Sequence, residues 1–218
     1  MTEGSPAHET AEQTAEQFWE EFYGKSDRIW SGRPNPLLVR EVADLPPGTA
    51  LDLGCGEGGD AIWLAARGWR VTAADISAVA LERAAGHAAE AGVADAIDWQ
   101  RHDLGDSFPA GSFDLVCAHF LHSPVELPQE RIMRSAAAAV APGGVLLVAG
   151  HAGFASTERH RDHEAHFPTL TEMIDSFDLE EGRWEVEVSE SVTREWTAPD
   201  GEQGTRTDNV VRIRRSKD

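Results

Sequence analysis

A glycine-rich segment at residues 51–60, with the sequence LDLGCGEGGD, is the feature that most constrains how this chain can fold. It overlaps a short apolar run, Thr49–Leu53, and leads into an amphipathic stretch, Gly59–Arg67. A strand, a glycine-rich turn and a helix in this order are typical of a βα unit whose turn contacts a ligand. Glycine suits such a turn because a Cβ atom would prevent both the sharp bend and the close approach of a ligand. We therefore predict a ligand-binding turn at the carboxyl edge of a parallel sheet.

The rest of the chain alternates short apolar runs with longer amphipathic ones, as βα units on a parallel sheet do. Further strands are predicted at Arg70–Ala74, Ala96–Arg101, Phe113–Ala118 and Gly144–Ala149, and helices at Pro36–Val42, Ala78–Ala91, Gln129–Val140 and Leu170–Phe177. Runs at Trp184–Trp196 and Asn209–Arg215 flank a turn-rich segment, which indicates an antiparallel hairpin. The prediction is an α/β fold with a seven-stranded, mostly parallel sheet and helices on both faces.

Composition and charge restrict the class of protein. Of the 218 residues, 41% are hydrophobic and 26% charged, as in a single soluble globular domain. The 19 basic and 38 acidic residues give a net charge of −19, which disfavours a nucleic-acid partner. No apolar run approaches the roughly 20 residues of a membrane span, and the amino terminus lacks the pattern of a signal peptide. With two cysteines, Cys55 and Cys117, and no disulfide framework, we expect a cytoplasmic protein without a membrane partner.

Asp75 adds a second ligand contact to the glycine-rich turn. It follows the apolar run Arg70–Ala74 and lies 21 residues after Gly54. A carboxylate at this position can accept hydrogen bonds from both hydroxyls of a ribose. The turn and Asp75 together predict an adenosine-containing ligand across the carboxyl ends of the first two strands.

The sequence resembles the class I S-adenosylmethionine-dependent methyltransferases over about residues 45–150. The glycine turn, with Asp52 ahead of Gly54, Gly56 and Gly58, is similar to motif I of that family. The segments that resemble later family motifs follow in the same order: Arg101–Leu104, Ser112–Val116 and Ala141–Leu147. The acidic Asp52 suits S-adenosylmethionine, which carries an ammonium and a sulfonium but no phosphate. The resemblance implies a Rossmann-like methyltransferase fold with S-adenosylmethionine as the cofactor.

The same resemblance implies roles for particular cofactor-binding residues. It places the methionine end of the cofactor on Asp52 and on the backbone of Gly54, Cys55 and Gly56. The ribose and one face of the adenine would contact Asp75 and Ile76. The adenine amine would bind Asp103 beside the Leu104 amide. Asp103 has an alternative interpretation as a solvated loop carboxylate or a helix cap. Cys55 is expected to be an inert thiol.

Three histidines follow the fourth and fifth predicted strands, where open α/β sheets bind ligands. These are His119, His122 and His151. An ordinary imidazole titrates at about 6.5, so it can accept a proton from an acceptor or orient it. Our hypothesis is that one of the three is the base or the acceptor-orienting group; the alternative is that each is structural. His119 is also a candidate cofactor contact.

The acceptor is expected to be a small molecule that is methylated on oxygen, nitrogen, sulfur or another chalcogen. The Asn/Asp-Pro-Pro-Tyr/Phe motif that amino-methylating relatives carry after the fourth strand is absent. The net charge of −19 also disfavours a nucleic-acid acceptor. Two alternatives stay open: an NAD(P)-dependent oxidoreductase, which Asp52 and the hairpin disfavour, and a non-catalytic protein that binds S-adenosylmethionine or a metal.

The predicted domain organisation is a disordered acidic tail at 1–15 and one methyltransferase domain at 16–218. Within that domain, 16–45 forms a helical lid, similar to the amino-terminal region of tellurite-resistance and thiopurine-type methyltransferases, and 151–170 is an insertion beside the acceptor. Tyr23, Trp30 and Arg33 are expected to cover the cofactor, since aromatic faces suit a sulfonium cation; alternatively, this region only buries apolar surface. A metal site at His160, His163 and His166 is weighed against a solvated loop, and the loop is preferred. The sequence makes no prediction of oligomeric state.

Overall fold

The computed structural model describes residues 13–158, 166–198 and 200–217. Its helices are α1 (Ala15–Gly24), α2 (Pro36–Val42), α3 (Gly59–Ala65), α4 (Ala78–Glu90), α5 (Gln129–Ala138) and α6 (Leu170–Asp175). Its strands are β1 (Thr49–Leu53), β2 (Arg70–Asp75), β3 (Ile97–Arg101), β4 (Phe113–His119), β5 (Val140–His151), β6 (Trp184–Thr197) and β7 (Gln203–Arg215).

The seven strands form one sheet in the order β3-β2-β1-β4-β5-β7-β6. Strands β1 to β5 are parallel to one another, whereas β7 runs antiparallel to β5 and to β6. The predicted α/β fold is therefore confirmed, including the antiparallel hairpin. The central strands are buried along almost their whole length because apolar clusters cover both faces of the sheet. In the part of the chain that the structure describes, no helix is long and apolar enough to cross a membrane.

Two of the strands are longer than the sequence predicts. The fifth strand covers Val140–His151 rather than Gly144–Ala149, and the helix before it ends at Ala138 instead of Val140. Glycine lets the strand continue through its irregular start, because a Cβ atom at Gly144 would lie 2.9 Å from the Phe113 carbonyl oxygen. The last strand begins at Gln203 rather than Asn209. Strand β5 ends opposite Asp208, and the residues of β7 before that point pair with β6. These residues therefore lack the apolar alternation of a strand that faces the core.

The amino-terminal boundary is also shifted. Helix α1 begins at Ala15, and Thr14 caps it by accepting a hydrogen bond from the Gln17 backbone while the Gln17 side chain accepts one from the Thr14 backbone. The remainder of the predicted tail, 1–12, lies outside the described residues.

Candidate active site

The glycine turn joins β1 to α3 with three residues in the left-handed region. Gly54, Gly56 and Gly58 have φ values of 70°, 52° and 84°, a conformation that glycine adopts without strain. The amides of Gly54 and Cys55 both donate to the Ala74 carbonyl oxygen, at 2.8 and 3.0 Å. The turn is thereby tied to the end of β2, where Asp75 lies.

Asp75 is buried and holds the next part of the turn. Its Oδ2 accepts the Gly56 amide at 2.8 Å, and its Oδ1 accepts the Ser77 amide at 2.9 Å. Burial raises the pKa of Asp75, although these backbone hydrogen bonds act in the opposite direction. Ile76 is half-buried, and its carbonyl oxygen accepts a hydrogen bond from Arg101. Asp75 therefore lies at the end of β2 beside the glycine turn, and its contact with a ribose stays a prediction.

Asp103 and Leu104 lie in the loop after β3. The Asp103 side chain is exposed, and its Oδ1 accepts the Gly105 amide at 2.9 Å. Asp103 therefore caps this loop, which is the alternative that the sequence left open. Its contact with adenine stays a prediction. The Leu104 side chain packs against the apolar cluster between the sheet and α5.

The amino-terminal segment covers the glycine turn. Tyr23 is 4% exposed, and a Cβ atom at Gly56 would lie 2.8 Å from its hydroxyl. The Trp30 indole donates to that hydroxyl at 3.2 Å, although the Trp30 side chain is 51% exposed. Arg33 is exposed, and its carbonyl oxygen would lie 3.0 Å from a Cβ atom at Gly59. The segment at 15–35 therefore covers the turn, whereas α2, which the predicted lid includes, packs into the core. We call 15–35 the lid, and its closure over a cofactor stays a prediction.

Three carboxylates that the sequence did not single out hold the lid. Glu57 accepts the amides of Ile29 and Trp30, at 3.1 and 2.8 Å, and an Arg83 guanidinium hydrogen at 3.1 Å. Burial alone would raise the pKa of Glu57, but these hydrogen bonds lower it. Asp60 Oδ1 accepts the Asn35 amide, and Glu20 accepts the Ser77 hydroxyl and the Ala78 and Val79 amides. No local pattern could reveal these contacts, because they join residues 25 to 59 positions apart.

Beneath the turn lies a group that we call the floor cluster, formed by Asp52, Asp60 and His119. Asp52 is 3% exposed, and burial together with the neighbouring Asp60 raises its pKa to about 7. The His119 side chain is 4% exposed, and its Nδ1 lies 3.0 Å from Asp60 Oδ2. The direction of that contact does not meet hydrogen-bond geometry. Asp52 Oδ2 and both His119 nitrogens are without a hydrogen-bond partner among the described residues.

The residues around the turn fit S-adenosylmethionine. The unpartnered Asp52 Oδ2 is a buried acceptor that suits an ammonium group. Asp75 lies at the end of β2, where a ribose is expected, and its two oxygens have lone pairs beyond those used by the backbone amides. Burial raises the pKa of the Cys55 thiol, as expected for an inert cysteine.

A cavity of about 540 Å³ lies beside the glycine turn, at the carboxyl ends of β4 and β5. Its volume is within the usual range for small-molecule sites. Six apolar side chains line it, Leu121, Leu127, Met133, Val148, Met173 and Phe177, together with the charged side chains of Glu130, Arg134, Glu172 and Asp175. Leu121 also contacts the turn, since a Cβ atom at Gly54 would lie 2.6 Å from Leu121 Cδ1. The cavity and the turn therefore share one side chain.

Two of the three predicted histidines line this cavity. His122 and His151 have ring centroids 5.6 Å apart and nearly parallel planes. The His151 amide donates to His122 Nε2 at 3.3 Å. His151 Nδ1 contacts Asp208 Oδ1 at 2.8 Å, and Arg206 donates to His151 Nε2 at 3.2 Å. Burial and the neighbouring His151 lower the pKa of His122 to about 4.

The third histidine does not join this pair. His119 lies in the floor cluster because it is the last residue of β4 and shares a face of that strand with Cys117, two residues earlier, which also faces Asp52. Phe120 has a φ of 54°, which is strained for a residue other than glycine, and its ring lies 4.5 Å from the His151 ring. His166 lies on the rim of the cavity, 3.6 Å from Glu172. The other two histidines of the candidate metal site, His160 and His163, are outside the described residues.

Comparison with known sequences identifies relatives. A family profile described as a methyltransferase domain matches residues 50–144. The 2-heptyl-1-hydroxyquinolin-4(1H)-one methyltransferase of Mycobacteroides abscessus is 30% identical over 158 residues, which cover 68% of this chain and 67% of that protein. The chain spans only 30% to 35% of the length of several other curated relatives.

Solved structures show the same fold. One, from work on the conversion of a disulfide bond into a thioacetal group during echinomycin biosynthesis, is 25% identical with a TM-score of 0.71 and covers 94% of this chain and 93% of its own. TehB from Haemophilus influenzae is 16% identical with a TM-score of 0.65, covering 93% of this chain and 67% of its own. The second likeness concerns the fold alone.

Proposed function

Because the chain belongs to the class I S-adenosylmethionine-dependent methyltransferases, we propose that it methylates a small, largely apolar molecule on an ionised or unprotonated heteroatom. The heteroatom is oxygen, sulfur, another chalcogen or nitrogen. The observation that carries the proposal is the cavity that shares Leu121 with the glycine turn and has His122 and His151 in its lining. Its six apolar side chains suit a molecule that buries a ring or an alkyl chain.

S-Adenosylmethionine supplies an electrophilic methyl group when it is bound. The residues that would hold it are Asp52 and the turn backbone at the methionine end, Asp75 and Ile76 at the ribose and adenine, and Asp103 with the Leu104 amide at the adenine edge. Tyr23 and Trp30 in the lid, with Arg33 beside them, would exclude water from this space. The chain's own contribution to the reaction is then alignment of the acceptor with the methyl group.

The role of His122 follows from its hydrogen bonding. Its Nε2 accepts the His151 amide, so in the neutral ring the proton is on Nδ1. Because burial lowers its pKa to about 4, the ring is neutral at physiological pH. Nδ1 is then a donor, which suits an oxyanion or a thiolate. His122 is therefore proposed to orient an acceptor that has already lost its proton.

His151 is proposed to be a positioning residue. Its two ring nitrogens contact Asp208 and Arg206, and its backbone amide fixes His122. Burial alone would raise the pKa of Asp208, but the contacts with His151 and Arg194 lower it, so the carboxylate stays ionised. An ionised Asp208 favours the tautomer of His151 with the proton on Nδ1.

Replacement of His122 tests whether it orients the acceptor or acts as a base. Methyl transfer is followed as S-adenosylhomocysteine formation with acidic phenols, thiols and ring-hydroxylated heterocycles as acceptors. The His122→Asn variant retains a donor near the Nδ1 position and is expected to keep most of the turnover. The His122→Leu variant removes the donor and is expected to lose about 10- to 100-fold in kcat. The His102→Asn variant, at a half-buried histidine outside the cavity, is the control for loss of an imidazole elsewhere.

Each outcome of this experiment is informative. If the Asn and Leu variants are equally inactive and the wild-type rate follows a single ionisation of the protein, His122 acts as a base and the orienting role is wrong. If S-adenosylmethionine binds but no acceptor class turns over, the non-catalytic alternative replaces the proposal. A cytoplasmic location also remains a proposal, supported by the two free cysteines.

A further inference from the structure

The floor cluster has hydrogen-bonding capacity that the fold does not use. Asp52 Oδ2 and both nitrogens of His119 have no hydrogen-bond partner among the described residues, and both side chains are more than nine-tenths buried. Buried polar groups are ordinarily paired, so unpaired ones at a ligand site indicate a missing partner. These groups lie under the turn that is expected to hold the methionine end of the cofactor.

The charges around Asp52 are mostly of one sign. Asp60 faces it from α3 and Asp75 from the end of β2, while His119 and the Cys117 thiol face it from β4. Burial raises the pKa of Cys117, which leaves that thiol neutral. Of these neighbours, only the imidazole can become a cation. An uncompensated carboxylate in this position is costly, and binding a proton removes the cost.

We propose that the floor cluster holds a proton in the free protein and gives it up when the ammonium group of S-adenosylmethionine arrives beside Asp52. The O–H bond of the Asp52 carboxyl breaks, the proton passes to water, and the ammonium takes its place as the positive partner. The charge of the floor is thus the same before and after binding. The inference rests on the proposed placement of the methionine end.

His119 acts as a positioning residue in this exchange. Its Nδ1 lies 3.0 Å from Asp60 Oδ2, and the other Asp60 oxygen accepts the Asn35 amide of the lid at 2.6 Å. Asp60 therefore connects the imidazole to the lid. A proton on Asp52 removes its repulsion with Asp60 until the ammonium replaces that proton.

The direction of the pH dependence follows by linkage. A bound ammonium favours the ionised carboxylate, so the pKa of Asp52, about 7 in the free protein, is lower in the complex. Cofactor affinity is then expected to rise with pH up to about 7 and to fall again above about 8, where the amino group of the free cofactor loses its own proton. Below about pH 7, affinity is expected to fall by about tenfold per unit, with close to one proton released for each cofactor bound.

Calorimetric titration of the full chain measures the released protons directly. Binding of S-adenosylmethionine is measured between about pH 5.5 and 8.5, at each pH in two buffers of different ionisation enthalpy. 5′-Methylthioadenosine is the comparison ligand, because it keeps the adenosine and the sulfur but lacks the amino-acid end. S-Adenosylhomocysteine, which keeps the ammonium and lacks the sulfonium, is expected to release protons as S-adenosylmethionine does, whereas 5′-methylthioadenosine releases none.

Variants localise the proton. Asp52→Asn preserves the size of the side chain and is expected to abolish both the proton release and the pH dependence. His119→Gln is expected to move the midpoint of the pH dependence without removing it. Asp98→Asn, which removes an exposed carboxylate on β3, is the matched control and should behave as wild type. The ligand comparison in the wild-type protein holds even if a floor variant does not fold.

Several results would overturn the proposal. S-Adenosylmethionine binding with the same proton count as 5′-methylthioadenosine would show that the floor cluster exchanges no proton, and the proposed function would stand. Failure of S-adenosylmethionine to bind at any pH would remove the proposed function itself. A metal ion retained by the purified protein and lost in Cys117→Ser would mean that a metal, instead of a proton, neutralises the cluster.

Discussion

Asp52 is a buried carboxylate whose environment opposes its own charge. Its pKa lies near 7 in the folded protein, against 3.8 for an unperturbed aspartate, mainly because of burial. The folded state thus binds the proton more tightly than the unfolded state. The stability that this confers is fully present below about pH 4 and is lost as the pH rises through about 7.

The Asp52→Asn variant is therefore expected to be more stable than wild type at neutral pH. The advantage should grow by on the order of 1 kcal/mol for each pH unit between about 4 and 7 and then stay constant. Thermal unfolding of both proteins across this pH range checks the prediction, with Asp98→Asn as the control. Parallel stability curves for wild type and Asp52→Asn would contradict it. If Asp52→Asn is more stable than wild type, the native aspartate lowers the stability of the fold at a position that is proposed to bind the cofactor.

Asp75 is expected to affect a different part of the cofactor. Asp75→Ala leaves the amides of Gly56 and Ser77 without their acceptor, so we expect weaker binding of S-adenosylmethionine by about 10- to 100-fold. Because the loss concerns the ribose and the turn, 5′-methylthioadenosine should weaken by a similar factor in the same calorimetric titration. Weakening of S-adenosylmethionine alone would place Asp75 at the amino-acid end and contradict the assignment.

At the scale of elements, few hydrogen-bonding side chains hold the lid to the rest of the fold. Glu57 alone accepts two of its amides, those of Ile29 and Trp30. Glu57→Ala is expected to speed amide exchange at these positions and to raise the dissociation rate of S-adenosylmethionine, while exchange in the central strands stays unchanged. Glu82→Ala, an exposed change on α4, is the control. Faster exchange with an unchanged dissociation rate would show that the lid does not retain the cofactor.

The elements that the sequence predicted well are those with a strong local signal. The glycine turn, Asp75 and strands β1 and β4 were predictable because sharp turns and buried strands have recognisable compositions. The first residues of β7 were not, because they pair with β6 outside the core and need no apolar alternation. The lid carboxylates Glu20, Glu57 and Asp60 have no local pattern, because their partners are distant backbone amides.

The three predicted histidines show the same limit of local sequence patterns. The sequence places His119, His122 and His151 at the ends of adjacent strands, and the structure agrees. It does not reveal that the imidazole of His119 lies with Cys117 beside Asp52, whereas His122, beyond the positive φ of Phe120, lines the cavity. Two histidines three residues apart in the sequence therefore belong to different clusters.

Across the whole molecule, the strand order explains why the glycine turn and the cavity lie at the same edge of the sheet. The order reverses between β1 and β4, and ligands of open α/β sheets bind at such a switch point. Asp52 on β1 pairs in register with Cys117 on β4, two residues before His119. The floor cluster therefore lies at the switch point, with Asp75 at the end of β2 on one side and the cavity at the ends of β4 and β5 on the other.

The net charge of −19 lowers the stability of the folded chain and attracts a cationic ligand. Self-repulsion destabilises the folded chain, so raising salt from about 10 to 150 mM is expected to increase the midpoint of thermal unfolding. The same screening should slow association of S-adenosylmethionine, which carries a net positive charge, and leave association of uncharged 5′-methylthioadenosine unchanged. Stopped-flow fluorescence can follow both, because the Trp30 indole lies beside Gly56. Stability that falls with salt would show that attractive ion pairs, such as Arg212 with Glu187, outweigh the repulsion.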